Sequence, residues 1–225
     1  EITTRLVGSE MCIRDSDLAA AVRRVIIGDN KVCGLTRAED ARNALEAGAL
    51  YGGLIFAEGS PRQLSIEQAQ QIIPAAALKY VGVFRNNVIS DVVTSAQQLN
   101  LSAVQLHGDE DRDYVSQLRS QLPETVKIWK AFSISDSLPD RDWAGVDRYV
   151  FDHGNGGSGQ AFDWSLLANQ SLDNVLLAGG LGAENCVQAA QLGCAGLDFN
   201  SGVESAPGVK DAGKIASVFQ TLKAY

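Results

Sequence analysis

From Lys31 onward the chain repeats one unit: a short apolar run of strand character, a stretch with apolar residues at helical spacing, and a break at Gly, Asn or Pro. The runs fall at 31–35 (KVCGL), 51–57 (YGGLIFA), 79–85 (KYVGVFR), 103–108 (AVQLHG), 126–132 (VKIWKAF), 148–152 (RYVFD), 174–180 (NVLLAGG) and 195–201 (AGLDFNS). Between and after them come RAEDARNALEAG, SIEQAQQIIPAAA, ISDVVTSAQQLN, RDYVSQLRSQL, AENCVQAAQLG and KDAGKIASVFQTLKAY, all of helical period, whereas SDSLPDRDWAGV makes a poor helix. Strands separated by single helices pair in parallel, because a parallel connection needs a crossover of about a dozen residues or more. Eight such units predict an α/β protein with a closed (β/α)8 TIM barrel. The rival, a doubly wound open sheet, calls for a dinucleotide fingerprint or a P-loop after the first strand, and CGLTRAED is neither.

Residues 31–225 thus read as one barrel domain, and 45% hydrophobic residues in a chain of 225 suffice for a single large core. Residues 1–30 fall outside the rhythm and read as a short N-terminal extension or linker, with one short helix at 18–27. Nineteen basic against 27 acidic residues leave a net charge of -8, which speaks against nucleic acid or an anionic membrane as partner. No run approaches the ~18 apolar residues of a membrane span, and the start lacks the order of a secretory signal. The expected location is cytoplasmic. Cys12, Cys33, Cys186 and Cys194 have neither CxxC spacing nor neighbouring histidines, so free thiols are expected, with no metal site.

A barrel of this kind builds its active site at the carboxyl ends of the strands. That rule selects Cys33, Arg62, His107, Asp152 and Asp198, and the glycine-rich turns that follow the later strands. AGGLG at 178–182 precedes a helical stretch and NSGVE at 200–204 ends the eighth strand. Their backbone amides, at Gly179, Gly180, Leu181, Ser201 and Gly202, make an expected phosphate site, aided by a helix amino terminus. GNGGSG at 154–159 reads as a loop over the pocket mouth. Taken alone, Cys33 reads more readily as a small buried thiol and Asp152 as a satisfied turn aspartate than either does as a catalytic group.

KVCGLT, GLIF followed by SPR, YVGVF, AVQLHG, FD leading to GGSGQAFDW, LAGGL, and LDFNSGVE with PGVKD together resemble the phosphoribosylanthranilate isomerases, over residues 31–225. The resemblance implies an Amadori rearrangement in tryptophan biosynthesis, run by one acid and one base with no cofactor. By motif, Asp152 falls on the family's acid and Cys33 on its base. Asp152 has to carry a proton when substrate arrives, which favours apolar neighbours such as Val150 and Phe151. Cys33 has to be partly thiolate, for which the arginine and strand-end amides are the expected stabilisers. Arg62 matches the arginine that holds the substrate carboxylate, Gln105 and His107 the pocket wall, and Asp198 a contact to the sugar or the phosphate loop. Lys130 is a weaker source of positive charge. Residues 17–30 resemble the end of an indole-3-glycerol-phosphate synthase, which implies a possible covalent fusion to that enzyme. A related sugar-phosphate isomerase of histidine synthesis would place an aspartate where Cys33 stands.

Overall fold

The parity of the strand pattern decides which side chains meet inside this protein, because successive residues of a strand face opposite ways. A computed structural model describes residues 28–153 and 162–225. Cys12, the expected helix at 18–27 and the GNGGSG loop lie outside the described residues. Eight parallel strands close into a barrel in chain order: β1 (Lys31–Val32), β2 (Tyr51–Ile55), β3 (Lys79–Phe84), β4 (Ala103–Leu106), β5 (Lys127–Ile134), β6 (Arg148–His153), β7 (Val175–Leu177) and β8 (Gly196–Phe199). Each falls on a run read from the sequence, and most stop one to three residues short of its end. The backbone there has left the sheet, which puts the last residues of those runs in loops.

The described helices are α1 (Ala38–Ala47), α2 (Ile66–Ile72), α3 (Ile89–Gln98), α4 (Arg112–Gln121), α5 (Cys186–Ala190) and α6 (Ala212–Ala224). Local chemistry sets their starts: Ser65 and Gln68 form a reciprocal capping box on α2, and Asp111 and Asp211 cap α4 and α6. No helix follows β5, as SDSLPDRDWAGV suggested. Leu138, Trp143 and Val146 cover the core there, with Trp143 edge-on to Phe132 at 5.6 Å. A single 3-10 turn (Trp164–Leu167) stands before β7. After β8, where the sequence pattern shows no strand, β9 (Glu204–Ala206) and β10 (Val209–Lys210) form an antiparallel ribbon turned at Pro207 and Gly208.

Inside the barrel, Tyr51, Val81, Ala103, Trp129, Ala131, Val150, Leu176 and Ala178 form one apolar cluster. Cys33, Ile55, Ala57 and Val83 form a second, nearer the carboxyl ends. At the amino end Tyr51 meets Trp129 edge-on at 4.9 Å, and the Arg148 guanidinium lies over both rings while pairing with Asp29. Asp29 and Asn30 are buried, and Asn30 accepts from the Leu197 amide, so the barrel's own contacts start before Lys31. No described helix is long and apolar enough to cross a membrane.

The outer core, between strands and helices, is sealed at the last unit by Phe219 of α6 against Phe199 of β8; both are fully buried, with centroids 5.9 Å apart. Phe219→Ala removes a buried ring that the barrel wall cannot refill. Urea unfolding should report a loss of about 3–5 kcal/mol, with Phe219→Leu keeping most of the stability.

Candidate active site

A cavity of about 280 Å³ opens at the carboxyl ends of the strands. Cys33, Arg62, Gln105, His107, Asp152, Asp198, Gly179, Gly180, Leu181 and Ser201, all selected from the sequence, line it. Two expected residues do not. Lys130 points away: it is buried and donates to the Gly108 carbonyl at 2.7 Å and to Glu110 at 2.8 Å. Glu110 in turn receives the amides of Asn86 and Gly108, so this pair holds the loops after β3 and β4 and adds no charge to the cavity. Gly202 lies behind the wall, where a β-carbon would stand 2.0 Å from the Leu181 carbonyl oxygen. Its missing side chain lets the two glycine turns touch.

Cys33 follows β1 directly, its amide bonded to the Phe199 carbonyl at 2.8 Å. Two glycines make room for it. A β-carbon on Gly53 would stand 2.6 Å from the Cys33 sulfur, and Gly34 takes φ +70, where a side chain would also strike Arg62 and Asn200. Burial pushes the thiol above its ordinary range, against the pull of Lys31 and Lys210 and with a further push from Asp198. The expectation that arginine and strand-end amides lower it is therefore corrected. The site is drier than the sequence suggested, and the cations that pull the thiol down are Lys31 and Lys210, neither of them among the residues selected from the sequence.

Lys31, fully buried in β1, donates to Asp198 at 2.6 Å and to Gln105 Oε1 at 3.0 Å. Burial works to lower its ammonium, but Asp198, followed by Cys33, outweighs that and holds it above the ordinary lysine range. With Gln105 Oε1 occupied by Lys31, Gln105 Nε2 is the donor to His107 Nδ1, 3.1 Å away. The other ring nitrogen of His107, Nε2, faces Asp152 Oδ2 at 3.5 Å. Asp152 itself is buried at the end of β6, and its other oxygen accepts from the His153 amide at 2.8 Å.

On the opposite wall Arg62 lays its Nε and Nη2 on Glu204 at 2.7 and 2.6 Å, a bidentate pair. Glu204 also receives Lys210 at 2.7 Å, and Lys210 is anchored to Asn200. Burial alone would raise the Glu204 carboxyl, but hydrogen bonds and charge from Arg62 and Lys210 hold it below the ordinary range. Arg62 Nη1 stays outside the fork. Arg85, exposed after β3, lines the same cavity. Neither Glu204 nor Lys210 could be placed from sequence, because both sit on the unforeseen ribbon.

Gly179 and Gly180 both take positive φ, at 90° and 60°, a conformation glycine adopts without strain. Asn185 fastens the turn, donating to the Gly180 carbonyl and accepting from the Gly182 amide, each at 2.9 Å. The helix behind it, α5, has only five residues, so the expected contribution of a helix amino terminus gives way to that of the turn amides. Gly179, Gly180 and Leu181 have no amide partner among the described residues.

Comparison with known proteins gives a consistent result. The sequence model of the N-(5'-phosphoribosyl)anthranilate (PRA) isomerase family matches residues 30–221. The chain is 66% identical over 220 residues to the tryptophan biosynthesis protein TrpCF of Salmonella typhi, and 62% identical to that of Yersinia pestis. It is 98% covered in both and spans about half of each relative, 48% and 46%. Among solved structures, the phosphoribosyl anthranilate isomerase of Thermus thermophilus is 34% identical with a TM-score of 0.77, over 87% of this chain and 98% of that one. A phosphoribosyl anthranilate isomerase solved with reduced 1-(o-carboxyphenylamino)-1-deoxyribulose 5-phosphate is 29% identical, TM-score 0.74, over 88% and 100%.

The Glu204 pair makes a stability prediction with a defined sign. A carboxyl lowered on folding stabilises above its unfolded pKa of about 4.3 and loses that contribution as pH falls through its folded value. Glu204→Gln leaves Arg62 and Lys210 buried against each other, so at pH 7 urea unfolding should show a loss of about 3–5 kcal/mol. The gap between parent and variant should narrow steadily below pH 4.

Proposed function

The chain belongs to the N-(5'-phosphoribosyl)anthranilate isomerase family, and from that premise we propose that its barrel converts N-(5-phosphoribosyl)anthranilate into 1-(2-carboxyphenylamino)-1-deoxyribulose 5-phosphate, in tryptophan biosynthesis. The observation that carries this is one cavity lined by a buried thiol, a buried carboxyl, an arginine and a pair of glycine turns. These four features match the two anionic ends of the substrate and the two proton transfers of an Amadori rearrangement.

The phosphate lies in the glycine turns, held by the amides of Gly179, Gly180, Leu181 and Ser201, with Gly202 allowing the turns to meet. The anthranilate carboxylate lies at Arg62, through the Nη1 edge that Glu204 leaves outside its fork. Asp152 gives its proton to the furanose ring oxygen as the bond from that oxygen to C1 breaks. The nitrogen lone pair forms the C1=N iminium. Cys33 takes the proton from C2, and the C–H electrons form the enamine, which tautomerises to the ketone. His107 and Gln105 hold Asp152 from the side, and Asp198 meets the sugar. These steps need only proton transfers and pocket electrostatics.

The isomerase domain is residues 31–225 together with Asp29 and Asn30, which are bonded into the barrel, and the residues before them are the linker from an indole-3-glycerol-phosphate synthase. Support comes from the likeness of 17–30 to that enzyme's end and from relatives about twice as long. The reaction belongs to the cytoplasm.

Loss of fluorescence of freshly formed phosphoribosylanthranilate follows turnover directly. Cys33→Ser and Asp152→Asn should each lower kcat by at least ~10²-fold, and together by far less than the product of the two losses. Turnover by Cys33→Ser at the parent rate would remove Cys33 from the mechanism. Arg62→Ala should raise KM about 10- to 100-fold, the equivalent of ~1.5–3 kcal/mol for a charge-assisted contact. An unchanged KM would move carboxylate recognition elsewhere.

A further inference from the structure

Cys33 is walled in by more charge than an ordinary buried thiol meets. Lys31 faces it from β1, Asp198 from β8, Lys210 from β10 and Arg62 from the loop after β2, while His107 and Asp152 line the same cavity. Arg62 and Lys210 are both engaged by Glu204. Lys31 is different. Its ammonium has three protons; Asp198 Oδ2 takes one and Gln105 Oε1 another, and its stem meets the thiol over Gly53, where a β-carbon would stand 2.6 Å from the Cys33 sulfur and 3.0 Å from Lys31 Cε. Lys31 and Cys33 are two residues apart on either side of Val32, so they share the inward face of the barrel.

Around the sulfur, Lys31, Arg62 and Lys210 stand against the carboxylates of Asp198 and Glu204, and Asp152 lines the same cavity. A Lys–Asp pair in a barrel floor is costly in desolvation and holds the fold no better than two apolar side chains of the same volume. Asp198 Oδ1, moreover, is buried with no hydrogen-bond partner among the described residues, which is a poor arrangement for a purely structural ion pair.

We propose that Lys31 is the positioning cation of the base: held between Asp198 and Cys33 in the cavity floor, it stabilises the thiolate and sets the pH at which Cys33 accepts a proton, with Asp198 opposing it. This rests on the reading of Cys33 as the base. In the step concerned, the C2–H bond of the iminium breaks, an S–H bond forms, and the Lys31 charge turns from the sulfur towards Asp198. Burial and Asp198 push the thiol up while Lys31 pulls it down. The two neighbours therefore act with opposite signs.

Alkylation of Cys33 by iodoacetamide, followed across pH in the full chain and read by mass at the Cys33 peptide, measures the thiolate without requiring turnover. Lys31→Met should move the alkylation midpoint up by about one pH unit or more, and Asp198→Asn should move it down. The acid limb of kcat should move the same way in each, with KM changing less than kcat, and Lys31→Arg should restore part of the shift. Midpoints that stay put, or that both move in the same direction, overturn the proposal. If Lys31→Met does not fold, Asp198→Asn decides alone: a downward shift supports the proposal, and none or an upward one overturns it. Full turnover by Cys33→Ser would overturn the base assignment instead, leaving the alkylation shifts to judge Lys31.

Discussion

The Lys31–Asp198 ion pair spans the seam at which the barrel closes. β1 contributes only two residues to the sheet, and in its pairing with β8 Lys31 lies in register with Asp198. The short strand is reinforced from outside the ladder: Asn30 accepts from the Leu197 amide, and the Cys33 amide reaches the Phe199 carbonyl. Closure and chemistry thus use the same few atoms. Ring closure carries Asp198 round to Lys31, sets Cys33 beside both, and leaves Gly53 as the space the sulfur occupies.

From this seam a chain of polar groups crosses the cavity floor. Lys31 fixes the amide of Gln105, Gln105 Nε2 meets His107 Nδ1, and His107 Nε2 stands 3.5 Å from Asp152 Oδ2. The thiol that follows β1 and the carboxyl on β6 thus stand at the two ends of one run of neighbouring polar groups. For the proposed acid and base, such packing leaves little freedom to rotate out of line.

Much of this was legible in the sequence, for a physical reason. Strand and helix periods are local, so the eight runs and the missing helix after the fifth could be read directly, and the barrel rule then pointed to Cys33, Arg62, Asp152 and Asp198. What stayed hidden depends on ring closure or on parity. Lys31 was not selected from the sequence, because its partner lies 167 residues away. Glu204 and Lys210 sat in a segment whose ribbon has no strong periodic signal. Lys130 was misplaced by one residue of parity: Trp129 and Ala131 belong to the barrel's inner cluster, so Lys130 between them faces outward to Glu110. The tuning of Cys33 was misjudged because sequence reports which charges exist, whereas depth decides how strongly burial counters them.

The contact between Gly202 and the Leu181 carbonyl bears on how this pocket can be engineered. Loops of a barrel are usually treated as interchangeable inserts, varied one at a time over a fixed scaffold. Here the loops after β7 and β8 touch backbone to backbone with no space for a β-carbon. They form a single unit of inheritance, and a library that randomises either one alone will mostly sample variants in which the other no longer fits. Diversification for new anions is better directed at Asn185, which ties the first turn together through its side chain, or at whole paired loops transplanted as one cassette.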